Sequence, residues 1–409
     1  MKRIKLFMLS SLMLSLYARY DVTVVGPMLY ADGLGRASIA FIDLFKDELK
    51  MNFVPTKAVN FKDVPYAVQM IARNLDRTPG KVSLFLDVLW HVSETPSDKV
   101  PESDIKIAFS MIESTAIPIQ WVKILNQKFD AVAVPDKFLC DVYRKSGVKI
   151  PIFVLPCGIY LDEFLEKPIK EKVNFPFTFG MSAGFNSTSK NHELLIEAFA
   201  KEFGNKPGVN LKVHGRCGNE EIQKHVLNKV KSLNCRNIEF INKNFTRDEY
   251  AKFMSSLDCY VLLSKGEGFS ITPREALAMG IPCIITNNSA HRTICETGFV
   301  KVVEAPISAL AHYIHFRSYC GYNYTCTKED ACKALKEVYE NYTEYLEKAH
   351  AGREWVKQYS YKSLKEQYLN LVKPKKVVFD TYNSIEEDCI ITNSEKLYKK
   401  YLSIINNCL

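Results

Sequence analysis

The sequence has no Cys-x-x-Cys pair, although twelve cysteines are scattered between Cys140 and Cys408. That scatter supplies no disulfide framework. In a chain of 409 residues such thiols read as small core residues in a reducing compartment. Cys320, Cys326 and Cys332 are evenly spaced, but no histidine sits at matching spacing to complete a metal site. Basic residues are equally unclustered. Lysine and arginine number 54 against 46 acidic residues, a net charge of +8, and the densest group is the short Lys373-Pro374-Lys375-Lys376. Nucleic acid is therefore not an expected partner. So mild an excess suits a phosphorylated small molecule or an anionic membrane surface equally well. Long apolar runs are lacking too. The opening "MKRIKLFMLSSLMLSLYARY" has a basic start and an apolar stretch from Leu6 to Tyr17, the length of a signal-peptide core and short for a membrane span. No convincing small-x-small cleavage site follows it. A cleaved signal peptide, a membrane-touching element and a buried segment all stay open for residues 1–20.

What is present alternates. From Asp21 onward, short β-branched and aromatic runs are separated by stretches with helical spacing. The expected strands of the first half are Val22–Val25, Val82–Leu86, Ile105–Phe109, Ala131–Val134 and Ile152–Leu155. Those of the second are Phe177–Met181, Leu211–Val213, Ile238–Ile241, Cys259–Leu263, Cys283–Thr286 and Val300–Val303. Such alternation predicts parallel sheets covered by helices, in two Rossmann-like sets. The boundary is expected near "EKPIKEKVNFP" (166–176). The reading divides the chain into residues 1–20, a domain at 21–170, a second at 171–358, and a C-terminal helix with a tail at 359–409.

The stretch "SKGEGFSITPREALAMGIPCIIT" (264–286) sets Glu267 and Glu275 on either side of a strand end and a helix start. Thr272, Pro273 and Glu275 read as N-cap, N1 and N3 of a capping box, a role worth about 1 kcal/mol that would by itself account for Glu275. Glu267, between Gly266 and Gly268, has no such role. Loop amides ahead of a helix N-terminus suit an anion, whereas a carboxylate suits neutral hydroxyls. A sugar nucleotide carries both. Lys190, read as lying in the first turn of the helix that holds "LLIEAF", opposes the helix dipole unless an anion lies between them; a solvated lysine is the other reading. Arg216 follows a further strand end and would serve the same anion. Gly33-Leu34-Gly35 would let a substrate approach the backbone closely. Ser38 stands where a dinucleotide fingerprint needs its third glycine, and the next strand candidate, "MNFV", ends in Pro55 without an acidic residue, so a nicotinamide cofactor is not expected. His91, Glu94 and Glu113 follow strands of the first half, although a lone histidine there is often structural. No carboxylate pair is identified at the roughly 5–10 Å that glycoside hydrolysis requires. Walker A and zinc signatures are absent, and a hydrolase nucleophile elbow is not expected.

Together these residues resemble the retaining glycosyltransferases of the GT-B fold, the large group 1 (family 4-like) family with an E-x7-E motif. The motif is Glu267 to Glu275, and the likeness runs from about Asp21 to about Leu371, with "VLPCGIYLDEF" matching the family's segment before the linker. It implies two Rossmann-like α/β domains whose parallel sheets face a central cleft, and a helical C-terminal region. It also implies transfer of a hexose from a nucleoside-diphosphate sugar to a hydroxyl of a glycan, glycolipid or protein-linked acceptor, with no metal and no further cofactor. Glu267 would contact donor-sugar hydroxyls and Glu275 the ribose. Lys190 would hold the diphosphate with the amides of Phe269, Ser270 and Ile271, with Gly35 beneath it from the opposing domain. His91 or Glu113 would complete the catalytic centre from the first domain. The arginine usual in the family near Ser182 is missing, so Lys190 acts alone or Arg216 compensates. Two other readings stay open: a GT-B-fold sugar-nucleotide epimerase using His91 and Glu94, and a non-catalytic nucleotide-sugar or glycan-binding module. The expected location is the cytoplasm, with peripheral membrane association left open.

Overall fold

The structure, a computed structural model, describes residues 19–373 except Ala31, Asn186, Arg216 and Cys217. Arg216, the segment before Arg19 and the tail after Lys373 thus lie outside the described residues. The first half is a six-stranded parallel sheet made of β1 (Val22–Gly26), β2 (Met51–Pro55), β3 (Val82–Phe85), β4 (Ile105–Phe109), β5 (Ala131–Val134) and β6 (Ile152–Val154), in the order β2-β1-β3-β4-β5-β6. The second contains β7 (Phe177–Ser182), β8 (Val209–Gly215), β9 (Ile238–Asn242), β10 (Cys259–Leu262), β11 (Cys283–Asn287) and β12 (Lys301–Glu304), in the order β12-β11-β10-β7-β8-β9. The strands β1, β7 and β10 are buried along their whole length, as near-continuous apolar runs must be when helices cover both faces. The helix His192–Glu202, for instance, buries Leu195, Ile196, Ala198 and Phe199.

Each order reverses once. In the second sheet the chain runs outward from β7 through β8 to β9, then returns to β10 on β7's other side. The carboxyl ends of β7 and β10 therefore flank a crevice, the place where open α/β sheets bind ligands. Three helices end the described chain: Lys328–Glu340, Tyr342–Val356 and Tyr361–Val372. The last crosses back. Leu364, Tyr368, Leu369 and Val372 join the core of the first half, and the Tyr368 hydroxyl donates to the Pro156 carbonyl at 2.9 Å.

One element was not foreseen. Between β12 and the helix Lys328–Glu340, β13 (Ile307–Tyr313) and β14 (Ser318–Thr325) form an antiparallel hairpin that belongs to neither sheet. It leaves the second half and docks on the first. Phe316 at its turn stacks on Trp90 with ring centroids 6.0 Å apart and meets the edge of Trp121 at 5.4 Å. The backbone of Tyr322 exchanges hydrogen bonds with Thr115, donating at 2.9 Å and accepting at 3.2 Å. Two residues on, the Tyr324 amide donates to the Lys265 carbonyl at 2.8 Å. The edge of β14 is thereby shared between a loop of each half.

Candidate active site

After β10 the chain turns through Ser264-Lys265-Gly266-Glu267-Gly268-Phe269-Ser270 before the helix Ile271–Ala278 begins. The glycines let this loop press against the first half. A Cβ on Gly266 would stand 2.0 Å from the Glu113 carbonyl oxygen, and one on Gly268 would lie 3.1 Å from Met111. The Glu267 amide donates to Ser289 Oγ (2.8 Å), and its carbonyl accepts from the Ala290 amide (3.2 Å). These bonds anchor Glu267 at the carboxyl end of β10.

Lys190 arrives from the carboxyl side of β7. It closes a 3-10 turn, Thr188–Lys190, and Asn191, left-handed with φ 58°, precedes the helix His192–Glu202. Lys190 thus stands ahead of the helix and not in its first turn, which corrects the sequence reading. Its Nζ lies 2.9 Å from Glu267 Oε1 and 3.0 Å from Glu113 Oε1. Glu113 accepts from Ser189 Oγ through its other oxygen at 2.9 Å. Burial works against the Lys190 charge, but the two carboxylates outweigh it and hold the pKa above the ordinary lysine value. One cation is shared by carboxylates from both halves.

The expected capping box at Glu275 does not form. The helix starts at Ile271, after a Ser270 with φ 68° and no side-chain cap, so Thr272 already lies inside the first turn. The Thr272 hydroxyl accepts from Tyr260 (2.6 Å), and the Glu275 carboxylate accepts from the Tyr250 hydroxyl (2.8 Å). Pro273 is tolerated there because a first-turn residue has no intrahelical partner for an N–H.

Other expected residues are placed elsewhere. Gly35 is accounted for by the chain itself, since a Cβ there would lie 2.2 Å from the Leu29 carbonyl oxygen. Gly33, with nothing within 4 Å, is the glycine with open approach. His91 sits against the hairpin, its ring edge-on to His315 at 5.5 Å, and its amide donates to the Glu94 carbonyl. Burial first, and His315 second, lower its pKa from the usual histidine value. No hydrogen bond joins its ring to Lys190, Glu113 or Glu267 among the described residues. Cys320 and Cys332 donate to the carbonyls of Ala116 and Ala198, in different parts of the fold. No cluster of three or more His, Cys, Asp or Glu suited to a metal occurs among the described residues. The letters Gly180-Met181-Ser182-Ala183-Gly184 do match a hydrolase elbow. Ser182, however, ends β7 bonded to His214 Nδ1 at 2.8 Å, and among the described residues no α-helix follows until His192, so the strand–turn–helix geometry is missing.

Two residues of the loop's support escaped the sequence reading. Arg274 is fully buried, its guanidinium 3.9 Å from the Phe269 ring centroid and 4.6 Å from that of Tyr359. It donates to the carbonyls of Phe269 and Ser270, and burial lowers its pKa. The signal was the one used for Lys190, a cation near a helix start. His291 bonds Ser270 Oγ through Nε2 at 2.7 Å, and burial pushes its pKa down to about 3. It is therefore neutral.

Residues 165–316 match the family model described as "Glycosyl transferases group 1". Comparison with curated protein sequences finds no match. Among solved structures, a glycosyltransferase from Rickettsia africae superposes with a TM-score of 0.62 at 14% identity, covering 87% of this chain and 98% of that one. WaaG, described as a glycosyltransferase involved in lipopolysaccharide biosynthesis, gives 0.58 at 12% identity over 86% and 99%. Anabaena Alr3699/HepE, solved with UDP and glucose, gives 0.61 at 10% identity over 86% and 98%. At such identities the likeness speaks for the fold, and it extends over both halves. The chain has the GT-B fold, and its segment 165–316 matches the glycosyl transferases group 1 model.

Proposed function

We propose that this protein is a retaining, metal-independent glycosyltransferase that moves a hexose from a nucleoside-diphosphate sugar to a hydroxyl of a glycan, glycolipid or protein-linked acceptor. The observation that carries the reading is the Lys190–Glu267–Glu113 cluster, which joins both halves at the crevice beside β7 and β10. Anabaena Alr3699/HepE, which was crystallised with UDP-glucose, supports the donor class.

In this reading the donor diphosphate takes Lys190 from its two carboxylates. The amides of Phe269, Ser270 and Ile271, at the start of the helix Ile271–Ala278, add donors that the helix leaves unpaired. The bond from the anomeric carbon to the phosphate oxygen breaks, and charge builds on the leaving diphosphate. Preorganised positive groups stabilise that charge where it develops. Glu267, released from Lys190, accepts from sugar hydroxyls. Glu275 receives the ribose and Glu113 faces the acceptor side. The acceptor oxygen bonds to the anomeric carbon on the face the phosphate leaves, and its proton passes to that phosphate. Closure of the two halves keeps water from competing.

The test is a thermal-shift screen with UDP, GDP, ADP and their hexose conjugates, run on the wild type and on Lys190→Ala. A ligand that binds only the native state must raise its stability. One nucleotide should raise the midpoint, the shift should vanish in Lys190→Ala, and Glu267→Ala should abolish transfer while the protein stays folded. No shift with any nucleotide would leave a non-catalytic module as the better reading.

A further inference from the structure

The hairpin carries a face that the transfer reaction leaves unused. Across its register Ser308 pairs with Tyr324, Leu310 with Tyr322 and, past a bulge, His312 with Tyr319. Directly paired residues share a face, so Tyr319, Tyr322 and Tyr324 run in a row from the turn of the hairpin to its base. Near the turn the other face is occupied, with Ala311, Phe316 and Cys320 buried; toward the base Ile307 and Ala309 are exposed on it. The tyrosine face is open, with Leu310 57%, Tyr319 64% and Tyr322 48% exposed. At its base Tyr324 lines a cavity of ≈ 570 Å³ with Asn287, Arg292, Glu296 and Glu304. The Arg292 guanidinium has no ion-pair partner among the described residues.

The cavity lies beside the Glu267 loop and not over it. Asn288 ties them together, donating to the carbonyls of Ser264 (2.9 Å) and Tyr324 (3.1 Å). At the middle of the row, Tyr322 holds Thr115, two residues from Glu113. The face therefore continues from the edge of the catalytic cluster.

We propose that this face and cavity bind an oligosaccharide, Tyr319 and Tyr322 stacking on sugar rings while the cavity takes a residue through its amide, carboxylate and guanidinium groups. The proposal deepens the glycosyltransferase reading, on which it rests, by assigning the site to the part of the acceptor glycan beyond the reacting hydroxyl. A tyrosine offers an apolar body with a polar rim, as a pyranose does. A cation, two carboxylates and an amide in one cavity supply donors and acceptors for neutral hydroxyls, while the two carboxylates disfavour an anion. A lipid surface fits less well. Residues 307–325 hold a single permanent cation, Arg317, and each basic residue near an anionic bilayer contributes only about 1 kcal/mol.

The experiment is saturation-transfer difference NMR on the full chain with maltohexaose, cellohexaose and α-mannohexaose. It is run on the wild type, on Tyr319→Ala/Tyr322→Ala, and on Arg292→Ala, whose side chain is exposed and whose loss spares the hairpin. At least one hexasaccharide should receive saturation, and its affinity should fall about tenfold in the double variant. Arg292→Ala should weaken it as well, and the thermal shift with whichever nucleotide the screen identifies should be the same in all three. No transfer to any hexasaccharide, or equal transfer to all three proteins, overturns the proposal. Two controls name the alternative occupants: sedimentation with phosphatidylcholine/phosphatidylserine vesicles, and sedimentation velocity. Vesicle binding or self-association that is lost in the double variant, without glycan binding, gives the face to lipid or to a second copy. A wild type that binds glycan but shows no nucleotide shift would instead overturn the donor reading and leave the glycan site standing.

Discussion

A lysine held between two carboxylates binds an anion only by exchanging partners. Glu113 contributes 3.0 Å of the contact to Lys190 from the first half, with its side chain 27% exposed. In Glu113→Gln the diphosphate no longer competes with that charge, so nucleotide affinity should rise about threefold, a modest gain because the pair is partly screened. Transfer should fall in the same variant. Calorimetry with the nucleotide identified by thermal shift checks the first outcome, and unchanged or weaker binding would show that Lys190 does not exchange partners. Two buried imidazoles set a pH dependence. Burial lowers His192 to about 4 and His291 to about 3. Between the unfolded histidine value near 6.5 and these folded values, the unfolded chain binds protons that the folded chain refuses. Stability is therefore full above pH 6.5 and falls as the pH drops, by about 2 kcal/mol for each histidine at pH 5. Urea midpoints at pH 7 and pH 5 test it; equal midpoints would mean these rings are protonated in the fold.

Two four-residue strings, Thr246-Arg247-Asp248-Glu249 and Thr272-Pro273-Arg274-Glu275, look alike as helix starts and behave differently. The first forms a full capping box, Thr246 Oγ1 accepting from the Glu249 amide and Glu249 from the Thr246 amide. In the second the helix has already begun at Ile271, and tyrosine hydroxyls engage both side chains. A double-mutant cycle should find measurable coupling between Thr246 and Glu249 and none between Thr272 and Glu275. Coupling in the second pair would restore the cap. The local pattern was legible; the competitors were not, because Tyr250 and Tyr260 reach the string from other elements. The hairpin escaped for a related reason. Its alternation of aromatic and polar residues is present in "HYIHFRSYCGYNYT", but a two-stranded unit needs a partner surface to be stable, and that surface is Trp90 and Trp121 of the other half.

At the scale of the whole molecule, both the site and the hairpin hold the halves together. Gly266→Ala should be the sharpest probe, since its Cβ would stand 2.0 Å from a backbone oxygen of the first half. A displacement of about 1 Å between reacting groups costs on the order of a hundredfold in rate, so transfer should drop by about that much. Nucleotide binding, which the proposed mechanism assigns to groups of the second half, should survive. Full activity would mean the cleft works at a wider separation. Phe316→Ala should free the hairpin from the first half. Of the three tryptophans, Trp90 and Trp121 should become more accessible to acrylamide quenching while Trp355 does not. Unchanged quenching would show that the hairpin is held without Phe316, by its hydrogen bonds to Val92, Thr115 and Ala116.

The sequence by itself determined the two sets of parallel strands and the glycine-flanked Glu267, because buried strands and tight loops leave a local signature. Apolar runs repeat, and glycine stands where another backbone passes. It also pointed to Glu113 and Lys190 separately. Only the tertiary structure decided that these two share one cation site, 77 positions apart, that Gly35 answers to Leu29, and that a hairpin of the second half closes on the first. Such contacts are made by side chains whose neighbours are distant in the chain. Their free energy depends on burial and on charges brought together by folding, and neither has a period that a linear pattern can carry.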